Sequence, residues 1–129
     1  TGNTEAMAMT VAEGAKGKGA EVSVITAAEF SPEQVSEYSA IAFGCPSMGS
    51  EQLEESEFEP MFTACEGRLS GKNIALFGSY GWGDGEWMRS WESRCNDDGA
   101  NLACDSVICN ETPDDDALAA CRELGASLA

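Results

Sequence analysis

Histidine is absent from this sequence, and only 7 of its residues are lysine or arginine. Without an imidazole there is no general base for a Ser-His-Asp or Cys-His site, and the commonest metal ligand is missing too. Most hydrolytic chemistry becomes improbable on that ground. The scarcity of cations combines with 23 Asp and Glu to give a net charge of -16, a field that repels nucleic-acid phosphates and anionic lipid headgroups. No apolar run approaches the ~20 residues that span a bilayer, and no basic segment leading into an apolar one suggests export. Neither nucleic acid nor membrane is therefore expected as a partner. The six cysteines, at 45, 65, 95, 104, 109 and 121, form no CxxC pair, so no zinc or iron–sulfur centre is expected. They read as reduced thiols of a cytoplasmic protein.

What is present is ordinary globular material: 129 residues, 43% of them hydrophobic, enough for one domain with a real core. Helix-like and strand-like segments alternate, the pattern of an α/β domain with a mainly parallel sheet. Residues 4–18 read as a helix, with Met7, Val11 and Ala15 spaced four apart and Gly17 and Gly19 at its end. Residues 21–26 (EVSVIT) read as a strand. Residues 40–44 (AIAFG) and 74–78 (IALFG) are short continuous apolar runs, as expected of strands covered on both faces. Further helices are expected over 53–66, 85–96 and 114–128, and a last strand over 102–109. Trp87 and Trp91, at helical spacing, read as core.

In open α/β sheets ligands bind beyond the carboxyl ends of the strands, and three turns there are chemically loaded: 45–51, 79–85 and 110–113. The opening run TGNTE (1–5) precedes a helix, where unpaired N–H groups and the helix dipole suit a phosphate; its plainer reading is a helix cap using Asn3 or Thr4. In GCPSMGSE (44–51), Met48 precedes a glycine that can flip its peptide, a loop able to press a thioether on a flat ligand; it is also compatible with an ordinary strand-to-helix turn. In SYGWGDGEW (79–87), Trp82 stands between glycines, exposed for stacking on a planar ligand or for docking a partner.

Together TGNTEAMA (1–8), GCPSMGSE (44–51), LFGSYGWGDGEW (76–87) and NETPD (110–114) resemble the short-chain flavodoxins, of the clostridial and Megasphaera type, in order and over essentially the whole chain. The resemblance implies a three-layer, doubly wound, five-stranded parallel sheet of order 2-1-3-4-5 with FMN at the switch point, the arrangement known for flavodoxin. It implies residues 1–129 as one FMN-binding domain. Thr1, Gly2, Asn3 and Thr4 would hold the FMN phosphate, and Met48 and Trp82 would cover the two flavin faces. The Gly49 carbonyl would accept from flavin N5–H and Glu51 from N3–H. Ser47, Ser50, Ser79, Tyr80, Gly81 and Gly83 would complete the loops around phosphate and pyrimidine, with Asn110 on the dimethylbenzene side. The implied role is a low-potential, one-electron carrier with noncovalent FMN, not an enzyme with its own substrate.

Between Gly19 and Gly67 there are ten acids and no base, five of the acids within 51–59. Five carboxylates ~10 Å from a reduced flavin contribute about 0.4 kcal/mol each in water-like screening, together roughly 90 mV of lowered potential. The same charge favours basic redox partner proteins and opposes self-association, so a monomer is expected. The family pattern places a short hydrophobic strand ahead of the phosphate loop, and it is missing from this sequence. The expectation is an N-terminally incomplete domain, its sheet left with bare edges. Two alternatives stand beside the carrier: a flavin-free interaction module, and the FMN domain of a larger reductase.

Overall fold

A computed structural model describes residues 2–48 and 52–129. Helix α1 spans Asn3–Gly17 and turns Met7, Val11 and Ala12 inward. An extended stretch and a 3-10 turn at Ala27–Glu29 lead to the short α2, Pro32–Val35. Strand β1, Ala40–Gly44, precedes α3, Phe58–Cys65, and strand β2, Asn73–Tyr80, precedes α4, Glu86–Asp97. Two short strands, β3 at Asn101–Leu102 and β4 at Val107–Asn110, lead to the closing α5, Asp115–Leu128.

Every ladder is parallel. β1 lies against β2 in the register Ala40↔Asn73 to Gly44↔Phe77. β3 pairs with β2 at Asn73 and Ile74, and β4 at Phe77 to Tyr80, so the two form one interrupted strand along the far side of β2. The single strand expected over 102–109 is thus divided, although Ala103 N–H still reaches the Ile74 carbonyl at 2.9 Å.

Alternation along β2 builds a three-layer core. Ala75 and Phe77 point to one face and pack with Met7, Val11, Cys121 and Leu124 of α1 and α5. Ile74 and Leu76 point to the other and join Phe43, Phe62, Trp87 and Trp91 under α3 and α4. Trp87 and Trp91 are core, as expected, and Trp91 meets the Phe58 and Phe62 rings edge-on at 5.3 and 5.7 Å. Glycine sets how closely α1 and α5 approach. A Cβ on Gly125 would lie 2.0 Å from the Val11 carbonyl oxygen, and one on Gly14 would lie 2.0 Å from that of Arg122.

Two expectations are corrected. Residues 21–26 are extended but are no strand: among the described residues, 21–25 make no backbone hydrogen bonds, and Val24 is 56% exposed. An alternating pattern supplies a face, but a strand also needs a neighbour to pair with. β1 has β2 on one side and, among the described residues, nothing on the other. The described sheet therefore follows the 3-4-5 end of the implied order. The helix expected over 53–66 begins only at Phe58, because the Glu54 carboxylate accepts from the backbone N–H groups of Ser56, Glu57 and Phe58 at 2.6 to 2.9 Å, holding residues 54–57 as a turn.

Candidate functional site at the carboxyl ends of the strands

β1, β2 and β4 run parallel, so the loops that follow them open at one end of the sheet, where α1 also begins. The start of α1 is joined there directly: Thr4 Oγ1 and Ser79 Oγ, next to the end of β2, lie 3.1 Å apart, with Ser79 buried. Gly2 is the residue ahead of α1, and no side chain caps it. The first intrahelical bond runs from Ala6 N–H to the Gly2 carbonyl, 2.9 Å, which leaves the earlier N–H groups pointing out of the helix with the positive end of its dipole. Asn3 and Thr4 are thus inside the first turn and neither takes the capping role considered for them; Gly2 occupies the cap position without a side chain to fill it. Thr1 lies outside the described residues.

The loop after β1 is fixed at both ends. Ser47 N–H donates to the Ser79 carbonyl at 2.9 Å, and Met48 and Gln52 exchange backbone bonds at 2.8 and 2.9 Å. Gly49, Ser50 and Glu51, all expected at the flavin, lie outside the described residues. Beneath the loop the buried Cys45 thiol accepts from Glu54 N–H at 3.3 Å and donates to the Pro46 carbonyl at 3.4 Å. Burial pushes this thiol up to about 12, so it anchors the loop as a neutral group. Met48, held above it, is 47% exposed.

β2 ends at Tyr80, and the loop after it carries Gly81, Trp82 and Gly83. Gly83 and Gly85 sit at φ 85° and 91°, the left-handed region that glycine adopts without strain. Arg89, one turn into α4, reaches back to Asp84 with bonds to its carbonyl at 3.2 Å and its carboxylate at 3.0 Å. Trp82 stands out at 64% exposure, the most exposed of the large hydrophobic residues described. Asn110 Nδ2 donates to the Tyr80 carbonyl at 3.4 Å, and Glu111 N–H bonds the same oxygen at 2.7 Å.

Sequence reasoning thus finds the loops and their exposed side chains and misses the braces, namely Cys45, Gln52, Arg89 and Glu111. Arg89 had a signal in its acid partner five residues before it. Glu111, the one non-glycine described at positive φ (58°), had none, since Glu is not a residue that favours that region.

This arrangement defines a class: an open α/β protein with an uncapped helix N-terminus and two exposed, flat or polarizable side chains at one end of the sheet. It fits a phosphorylated planar cofactor. The sequence profile described as flavodoxin matches residues 1–125. A flavodoxin from Megasphaera elsdenii is 44% identical over 129 residues, all of this chain and 92% of the relative, and one from Clostridium beijerinckii is 42% identical over all of this chain and 93% of it. The solved structure of two-electron reduced Megasphaera elsdenii flavodoxin superposes with a TM-score of 0.91 over 99% of this chain and 91% of that one. The chain belongs to the flavodoxin family. Flavodoxins are FMN-binding carriers that pass electrons to redox partner proteins and turn over no substrate of their own.

Proposed function

We propose that residues 1–129 form one FMN-binding domain that works as a low-potential, one-electron carrier in the cytoplasm, a monomer serving basic redox partners. FMN, when bound, takes up and returns electrons singly. The chain's own part is to bind, orient and shield it. Thr1, Gly2, Asn3 and Thr4 offer N–H and hydroxyl donors to the phosphate, with Ser79 behind them. Met48 and Trp82 flank the ring, while Gly49 and Glu51 meet its polar edge and Ser47, Ser50, Tyr80, Gly81, Gly83 and Asn110 line the loops. The observation that carries this reading is the pair Met48 and Trp82, 47% and 64% exposed at one end of the sheet beside an uncapped helix start, where an apolar ligand face would remove both from water.

Burial pushes the Cys95 thiol up to about 12 and that of Cys121 up to about 11, keeping both protonated and unreactive. The close flavodoxin relatives favour the carrier over the flavin-free module and the reductase-domain alternatives.

The test is titration with FMN followed by tryptophan emission. Trp87 and Trp91 are buried and Trp82 is not, so quenching that saturates at one FMN per chain, and is reduced in Trp82→Ala, is the expected result. Losing one stacking face weakens binding by roughly 1–3 kcal/mol, about fivefold to 150-fold in Kd. A Trp82→Ala protein that binds FMN as tightly as the parent would remove Trp82 from the site.

A further inference from the structure

The far edge of the sheet, along β4, is open. β4 has β2 on one side and, among the described residues, no strand on the other. Glu111 N–H faces β2, bonding the Tyr80 carbonyl at 2.7 Å. Backbone groups along a strand alternate in direction, so the N–H and carbonyl groups of Ile108 and Asn110 turn outward. A groove of about 700 Å³ runs along this edge, between residues 104–110 and the side of α5. Ala117, Ala120 and Leu124 form its apolar floor, while Asp105, Asp116 and Glu123 stand exposed along it, and no lysine or arginine lines it among the described residues. None of these three carboxylates has an ion-pair partner among the described residues.

We propose that this edge is a docking site for one extended, basic segment of a separate polypeptide, in which Lys or Arg alternates with aliphatic residues. The segment adds as a strand beside β4, drawing affinity from main-chain bonds and selectivity from what its alternate side chains meet. β4 is four residues long, ~13 Å of edge at ~3.3 Å per residue, so about four to six residues of the partner are held. The two faces of that strand meet different surroundings. Val107 and Cys109 pack in the layer of α1 and α5, so the row of the added strand on their side lies over α5. Ile108, on the opposite face, is 37% exposed and offers an apolar contact to the other row. Basic side chains suit the α5 row, since their methylene stems cover Ala117 and Ala120 while their charged ends reach Asp116 and Glu123. Those two acids lie two turns apart on α5, ~10 Å along its axis, and alternate positions of a strand are ~7 Å apart. Flexible stems span the difference. An acidic or neutral segment would leave the carboxylates unpaired, and the net charge of -16 opposes a second copy of this chain as the occupant.

The probe is a capped peptide of about six residues alternating Lys and Val, added to the full 129-residue chain without FMN, so that a failure here and a failure of FMN binding stay distinct. Amide hydrogen exchange is followed residue by residue by NMR. Slowing by about tenfold or more at Ile108 and Asn110 is the expected result, with none from a peptide of the same charge that has Pro-Pro inserted at its centre, because Pro cannot complete the ladder. Asp116→Asn combined with Glu123→Gln is expected to weaken binding of the alternating peptide by about twofold to thirtyfold. Equal slowing by the Pro-Pro peptide would reduce the effect to charge alone and overturns the proposal. So does the absence of slowing at the two amides, or an affinity that the double variant leaves unchanged. Protection of Ile108 and Asn110 before any peptide is added, accompanied by dimers on size exclusion, would make a second copy of the chain the occupant and overturns it too. The two peptides are compared on the unaltered chain, so misfolding of the variant cannot mimic that result.

Discussion

Asp98, at the end of α4, has its Oδ2 closed off from solvent without a hydrogen-bond partner. Burial, and after it the neighbouring Glu66 carboxyl, push its acid up to about 6 from an ordinary 3.8. A carboxyl with a raised folded pKa gives stability that is complete below about 4 and is lost as pH climbs through about 6. Asp98→Asn, which keeps the shape and deletes the charge, is therefore expected to stabilise the protein at pH 8 by on the order of 1 kcal/mol and to change nothing below about pH 4. Urea unfolding across that range checks it, and a gain that is the same at every pH would show that the carboxyl's charge is not the cause. Glu54 works in the opposite direction. Bonds from the Ser56 hydroxyl and the N–H groups of Phe58, Glu57 and Ser56 hold it down at about 2, so its contribution is present above about 4.5 and fades toward 2. Neither effect was legible in the sequence, where Glu54 is one acid in a run and Asp98 is one of two adjacent aspartates.

Among the elements, α1 and α5 form the closest pairing, and its tightness comes from two glycines. Replacing a helical glycine with alanine ordinarily gains about 1 kcal/mol. At Gly125 the added methyl would sit 2.0 Å from the Val11 carbonyl oxygen, and no rotamer moves a Cβ. The helices must separate, and overpacking of this kind costs about 1–3 kcal/mol. Gly125→Ala is expected to lose up to about 2 kcal/mol net in chemical denaturation, whereas Gly17→Ala, with nothing within 4 Å, is expected to gain. Equal effects at the two positions would mean that α5 shifts without cost. Elements that carry their own cause were readable beforehand. The runs at 40–44 and 74–78 are apolar throughout because helices cover both faces, and α5 opens on Asp114, whose side chain accepts from Ala117 N–H at 2.8 Å. Residues 21–26 were misread because strand pairing depends on a neighbour, and α3 started late because a side chain, not a propensity, sets its first turn. The same division holds at the candidate site: exposed Trp82 and Met48 follow from local glycine-rich sequence, while the Thr4–Ser79 contact across 75 positions follows from topology.

For the whole molecule the dominant quantity is the charge of -16, and the structure sorts which acids are free to project it. Glu54 is engaged with the α3 turn, and Glu59 and Glu66 grip Arg94 at 2.6 to 2.8 Å while its guanidinium lies 4.9 Å from the centre of the Phe62 ring. Glu55 and Glu57 are exposed on the same turn, close along the chain to the loop after β1. A negative surface accelerates encounter with cations and slows it with anions, both through a field that reaches ~30 Å at 0.01 M salt and only ~3 Å at 1 M. Electron transfer from the FMN-loaded, reduced protein to a basic c-type cytochrome is therefore expected to slow by about tenfold or more between those two salt concentrations. Transfer to ferricyanide, an anion, is expected to quicken over the same range. Stopped-flow measurement of both oxidants separates this field from any general effect of salt on the protein, which would move the two rates together. Glu55→Gln with Glu57→Gln is then expected to flatten both slopes, because these carboxylates have no ion-pair partner among the described residues and add their whole charge to the face that a partner meets.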